Sequence, residues 1–153
     1  MLNKVQLFVF CLLILLSAAG CGTEKEINSR TKTTNKKEPS TNDIISMHGN
    51  VENLEALDEF IEEVNNNHPS SIRIVKYTIE GDPIYHELTY EKEKIQFQLD
   101  TTKDGYGPQE VTTETCKDLI RTQTKKELIY TLKNCTGEWN NFELLYVPYD
   151  VEK

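Results

Sequence analysis

Apolar and polar positions change their spacing several times along the chain. Residues 5–19 (VQLFVFCLLILLSAA) are apolar except for Gln6 and Ser17, and no later stretch repeats such a run. Residues 22–42 hold one strongly apolar side chain, Ile27. Helical spacing begins at Leu54 and continues through Leu57, Phe60, Ile61 and Val64, with acids on the remaining face and Asn50 or Asn53 placed to cap it. The run Asn65-Asn66-Asn67-His68-Pro69 ends that helix. From there the period drops to two: residues 72–79 and 84–90 predict strands joined by a Glu80-Gly81-Asp82-Pro83 turn. In residues 94–99, Ile95, Phe97 and Leu99 alternate with polar neighbours, as in a sheet with one buried face. Residues 111–122, 127–135 and 142–147 predict the remaining strands. The fold class expected is α+β, one helix packed on a meandering antiparallel sheet of five or six strands.

The early apolar run changes the picture of the whole chain. Lys4 precedes it and the small residues Ser17-Ala18-Ala19-Gly20 close it, which is the plan of an export signal. Its length falls short of the roughly 20 apolar residues that a membrane-crossing helix needs. Cys21 follows directly, and Ala18-Ala19-Gly20-Cys21 resembles a bacterial lipobox, with Ala18 where Leu is usual. The resemblance implies cleavage between Gly20 and Cys21, a diacylglyceryl thioether on Cys21, and loss of Cys11 with the signal. A thiol suits this chemistry because its thiolate is a good soft nucleophile. Two or more acyl chains make anchoring stable where one is marginal. The organisation expected is a lipoprotein signal peptide over 1–20, a lipidated Cys and flexible tether over 21–42, and a single domain over 43–150. The tether buries too little surface to offset the entropy of ordering itself, and its coil span is roughly 25 Å.

Charge narrows the partners. The chain is net −8; residues 22–41 carry five basic and three acidic side chains, and residues 42–153 are left with −11. An acidic domain of this kind disfavours nucleic acid, whose binding relies on Lys and Arg displacing phosphate counterions. It also disfavours lying flat on an anionic lipid surface.

The domain keeps two cysteines, Cys116 and Cys135. A hairpin turning at Lys125-Lys126 sets Cys116 opposite Cys135, Asp118 opposite Lys133 and Leu119 opposite Leu132. Opposed Cα atoms lie within disulfide range, and an exported chain meets oxidising conditions. A Cys116–Cys135 disulfide is expected, the alternatives being two free buried thiols or a metal or redox pair. The redox option is weakened by the lack of a Cys-x-x-Cys spacing.

Several stretches together carry a wider likeness: His48-Gly49, Ile72-Arg73-Ile74-Val75 with Tyr77-Thr78, Glu80-Gly81-Asp82-Pro83-Ile84, Asp104-Gly105-Tyr106-Gly107, and the spaced Cys116 and Cys135. Over residues 43–136 the chain resembles an uncharacterised family of small lipoproteins from Bacillus-like bacteria, a domain of unknown function (DUF4362-like). That resemblance implies a lipoprotein and transfers no activity, cofactor or catalytic residue.

The residues that could carry chemistry are scattered. His48, His68 and His86 lack zinc-ligand spacing. Asp100-Thr101-Thr102-Lys103-Asp104-Gly105 departs from a calcium loop, with Lys103 between the candidate ligands and Glu110, followed by Val111, one place early. Ser70 and Ser71 follow His68-Pro69 without a nucleophile-elbow motif. Glu80 and Asp82 flank a turn, and Asn134-Cys135-Thr136 matches a glycosylation acceptor in spacing only. No catalytic residue, metal ligand or cofactor is assigned. The reading is a lipid-anchored protein of the extracytoplasmic membrane face, acting as a binding or interaction module through strand edges or through Tyr85, Tyr90, Tyr106 and Trp139. The alternative is an envelope hydrolase or a protein that captures a small ligand or metal.

Overall fold

The computed structural model describes residues 39–149. The expected signal peptide over 1–20, Cys21 and nearly all of the expected tether over 21–42 lie outside the described residues. In chain order the elements are β1 (Ile44–Met47), β2 (Asn50–Glu52), α1 (Glu55–Asn65), β3 (Ser70–Tyr77), β4 (Pro83–Glu91), β5 (Lys94–Asp100), β6 (Val111–Cys116), β7 (Asp118–Gln123), β8 (Glu127–Lys133) and β9 (Asn141–Pro148). They build two sheets, a six-stranded one in the order β2-β1-β3-β4-β5-β6 and a three-stranded one in the order β7-β8-β9.

The helix and the central strands follow the sequence pattern. Leu57 and Phe60 are buried on the apolar stripe of α1. The helix ends in a Schellman motif: His68 N–H donates to the Glu63 carbonyl at 2.9 Å and Asn67 N–H to that of Val64 at 3.1 Å. Asn67 takes the left-handed conformation this end requires, with φ 57°. The other end differs from expectation. Leu54 occupies the cap position with no side-chain hydrogen bond. Asn53, at φ 63°, instead turns its amide to the carbonyls of Asp43 (3.3 Å) and Thr41 (3.5 Å). Asn50 belongs to β2.

The single antiparallel sheet that the pattern suggested is corrected in two ways. First, Ile44–Met47 forms a strand parallel to β3, with Ile44 beside Ile74. Parallel neighbours need a long crossover, and β2 with α1 supplies it. Second, the strand expected over 111–122 serves two sheets. It pairs with β5 as far as Ile95↔Cys116, one residue from the start of β5 at Lys94. Past that point β8 takes over, starting at Asp118↔Lys133. The joint is Lys117, whose N–H donates to the Lys133 carbonyl at 3.1 Å.

Side-chain alternation then builds a core from both sheets. Ile74, Leu88, Ile95 and Phe97 from the large sheet join Leu119, Leu128, Tyr130 and Leu132 from the small one, with Leu57 and Phe60 of α1 in the same cluster. In β9 the consecutive Leu144 and Leu145 are both buried, because a bulge opposite Tyr130/Thr131 inserts one residue. Tyr130 is fully buried, and its hydroxyl donates to Asp58 Oδ1 at 2.7 Å, tying α1 to β8. Arg121 of β7 reaches the same oxygen at 3.2 Å.

Two hairpins turn through left-handed pairs. His48 (φ 51°) and Gly49 (φ 88°) link β1 to β2, and Lys92 (φ 51°) and Glu93 (φ 60°) link β4 to β5. A two-residue turn with both φ positive suits Asn-Gly, and side chains such as Lys and Glu are strained there. Replacing Lys92-Glu93 by Asn-Gly is expected to stabilise the protein by about 1 kcal/mol, read from the urea midpoint at unchanged slope. An unchanged or lower midpoint would show that this turn carries no such strain.

Candidate functional site

The site is set by a mismatch in strand length. β3 runs from Ser70 to Tyr77 and is paired along its whole length with β4. On its other side β1 begins only at Ile44, beside Ile74. The stretch of β3 from Ser70 to Arg73 therefore lies beyond the end of β1. A cleft of about 730 Å³ opens there, lined by Ser70, Ser71 and Ile72 of β3 and by Ala56, Glu59 and Glu63 of α1.

One end of the cleft is closed by the segment before β1. Asp43 is buried, and both its oxygens face Arg73: Nε donates to Oδ1 at 3.0 Å and a terminal guanidinium nitrogen to Oδ2 at 2.6 Å. The Ser40 N–H and hydroxyl also donate to this carboxylate, at 2.7 and 3.1 Å. Burial pushes the Asp43 carboxyl up, but the Arg73 and Ser40 hydrogen bonds outweigh it and hold the group below its ordinary value. Arg73 is correspondingly raised, chiefly by the bond to Asp43. This pair is a structural clasp. Glu59 and Glu62 stand exposed along the helical wall, and Glu63 is bonded to His68 at 3.1 Å.

The residues singled out by sequence lie apart from one another. Cys116 and Cys135 are joined by a disulfide with Cα atoms 3.9 Å apart, in the expected register. His48 sits exposed in the first hairpin turn, His68 is exposed after α1, and His86 is buried in β4. Asp82 accepts the Gly105 N–H at 2.9 Å and ties two loops together, while Glu80 is exposed in the turn. Neither lines the cleft. Asp100 accepts from the Thr102 N–H and hydroxyl, and Asp104 from the N–H groups of Tyr106 and Gly107, so loop backbone engages both carboxylates. Ser70 and Ser71 do line the cleft, but among the described residues no histidine is hydrogen-bonded to either hydroxyl. Asn134 donates to Asp118 at 2.8 Å. The four aromatics do not form a patch. Tyr85 and Tyr90 are buried on opposite faces of β4, Trp139 is half-buried, and Tyr106 alone of the four is exposed.

A second polar feature lies where the two sheets meet. The His86 ring is 6.1 Å from both Phe97 and Phe142, and Trp139 stacks on Phe142 at 5.1 Å. Its Nδ1 is buried with no hydrogen-bond partner. Burial, reinforced by the nearby Lys76 ammonium, lowers the His86 pKa to about 3. Glu114, also buried, accepts the Gly137 N–H at 3.2 Å and the Trp139 N–H at 3.5 Å, and so fixes the loop that carries Trp139.

Comparison with known proteins bears on this geometry in one respect. A family model described as a domain of unknown function (DUF4362) matches residues 41–131, more than half of the chain. The chain belongs to that family. The DUF4362 match begins at the turn that closes the cleft and runs through β1 to most of β8, so every lining residue of the cleft from Asn42 onward falls inside it. It stops short of Cys135 and β9. No curated protein and no solved structure matches the chain.

The sequence carries no local signal for the cleft. Asp43 and Arg73 are thirty positions apart, and a single sequence offers nothing to pair them. The strand over Ile44–Met47 has a weak local signal, the β-branched Ile44-Ile45 followed by a glycine, Gly49, that takes positive φ in the turn.

Proposed function

We propose that this DUF4362 protein is a lipoprotein anchored through Cys21 to the extracytoplasmic face of the cell membrane, with a domain that binds a partner. The anchor rests on the export-signal pattern ending at Ala18-Ala19-Gly20-Cys21. The binding role rests on the cleft, where a strand edge lies open beside a helix while the Asp43 and Arg73 charges are committed to each other. A binding site needs a concave surface with a few placed polar groups, and a cleft of this volume is within the range that holds a ligand.

Fractionation of cells tests the anchor. The wild-type chain should sediment with membranes and require detergent for release, whereas Cys21→Ser should abolish lipid attachment and processing at that cysteine. A Cys21→Ser chain that partitions and migrates as wild type would refute the proposal.

A further inference from the structure

We infer that the cleft receives an extended basic peptide segment, which adds to the large sheet as a short parallel or antiparallel strand beside Ser70–Ile72 of β3. The inference rests on the binding-module reading above and names the class of partner.

Three observations converge. Strand β3 offers an edge about three residues long, Ser70–Ile72, near 10 Å of extended chain, because β1 begins opposite Ile74 and Asp43 covers Arg73. A strand edge is a template for another backbone, whose N–H and C=O groups supply affinity while alternate side chains supply specificity. The second observation is space: the cleft of about 730 Å³ lies along that edge, between it and α1. An edge sealed by its own helix would offer no room for a guest. The third is charge. Glu59, Glu62 and Glu63 line the helical wall, and Glu87 of β4 lies on the sheet side. The one cation of the lining, Arg73, is held by Asp43. An acidic segment would meet like charges, whereas alternate Lys or Arg side chains would meet the exposed Glu59 and Glu62. Acids around an edge also deter self-association of identical acidic domains, so the same residues select a basic guest and reject a second copy.

The probe is a fluorescein-labelled eight-residue peptide of alternating Lys and Val, titrated against the full chain in mild detergent and read by fluorescence anisotropy. Binding is expected to be at least tenfold tighter than for the Glu-Val analogue, and to weaken at least tenfold in the Glu59→Lys/Glu62→Lys variant. Both substitutions lie on exposed helix surface, and circular dichroism and thermal melting should match wild type. Two further peptides carry N-methyl groups either on the Lys or on the Val positions. Strand addition uses N–H groups on one side of the guest only, so one of the two should lose binding and the other retain it. Equal binding by both would reduce the contact to charge attraction and overturn the inference, as would no binding of the Lys-Val peptide. To separate that failure from failure of the binding reading itself, a photo-crosslinking residue at position 62 is used in intact cells. Crosslinks to an envelope component after the peptide has failed would leave a binding module with a different partner; no crosslink in that case would remove both.

Discussion

Lowering the pH from 7 toward 3 should destabilise the domain steeply, and replacing His86 by Leu should remove much of that dependence. The fold accepts the neutral imidazole: burial among Phe97 and Phe142, with the Lys76 ammonium nearby, brings the ring pKa down to about 3 from the ordinary 6.5. Lys76 is itself pushed down by burial, an effect that Glu143 on β9 opposes. Between these two pH values the unfolded chain binds one more proton than the folded one, so stability falls as pH falls. The slope approaches about 1.4 kcal/mol per pH unit for one group, and across the window the loss reaches roughly 4–5 kcal/mol. Asp43 adds a smaller decline of the same sign, because its lowered pKa gives stability that is present above 3.8 and lost as pH falls through the folded value. At pH 7 the Leu variant should lie close to wild type, since it removes a buried, unpartnered Nδ1 together with the ring's hydrogen bond to the Ile84 backbone. Urea unfolding at several pH values measures both claims. Parallel pH profiles for wild type and His86→Leu would refute the assignment.

The second large effect is expected at the disulfide. Cys116 is buried at the point where one strand leaves the large sheet for the small one, and Cys135 opens the loop that carries Trp139 against Phe142. The bridge closes a loop with a sequence separation of 19. Constraining the unfolded chain over such a loop contributes about 3 kcal/mol. Cys116→Ala/Cys135→Ala should therefore lower the melting temperature by roughly 10–20 °C at the size of this domain. Thiol reduction of the wild type should give a similar decrease. A loss under about 1 kcal/mol in the double variant would mean that the joint between the sheets is held by packing alone.

The hairpin register was legible because three opposed pairs had to agree at once. Cys116 with Cys135, Asp118 with Lys133 and Leu119 with Leu132 all require the turn at Lys125-Lys126, and a slip of one residue would send Leu119 and Leu132 to the wrong face. The apolar stripe of α1 and the alternation in β5 were readable for the same reason: each is a local period enforced by burial. What failed was long-range. Whether residues 111–122 serve one sheet or two depends on where β5 starts, which is set by the Lys92-Glu93 turn of another hairpin. The parallel pairing of β1 with β3 depends on a crossover that no local pattern announces. The cleft inherits that difficulty, since it exists only because two strands from distant parts of the chain differ in length. Asn53 illustrates the opposite error. A good helix-capping residue stood one position before the cap, Leu54, and its amide went to the carbonyls of Thr41 and Asp43.

The intact mass of the protein extracted from membranes bears most directly on how this domain is held and displayed. The mass expected is that of the chain beginning at Cys21, with diacylglyceryl added and two hydrogens lost to the Cys116–Cys135 bridge. A mass corresponding to an unmodified Cys21, in a chain still carrying residues 1–20, would contradict the account.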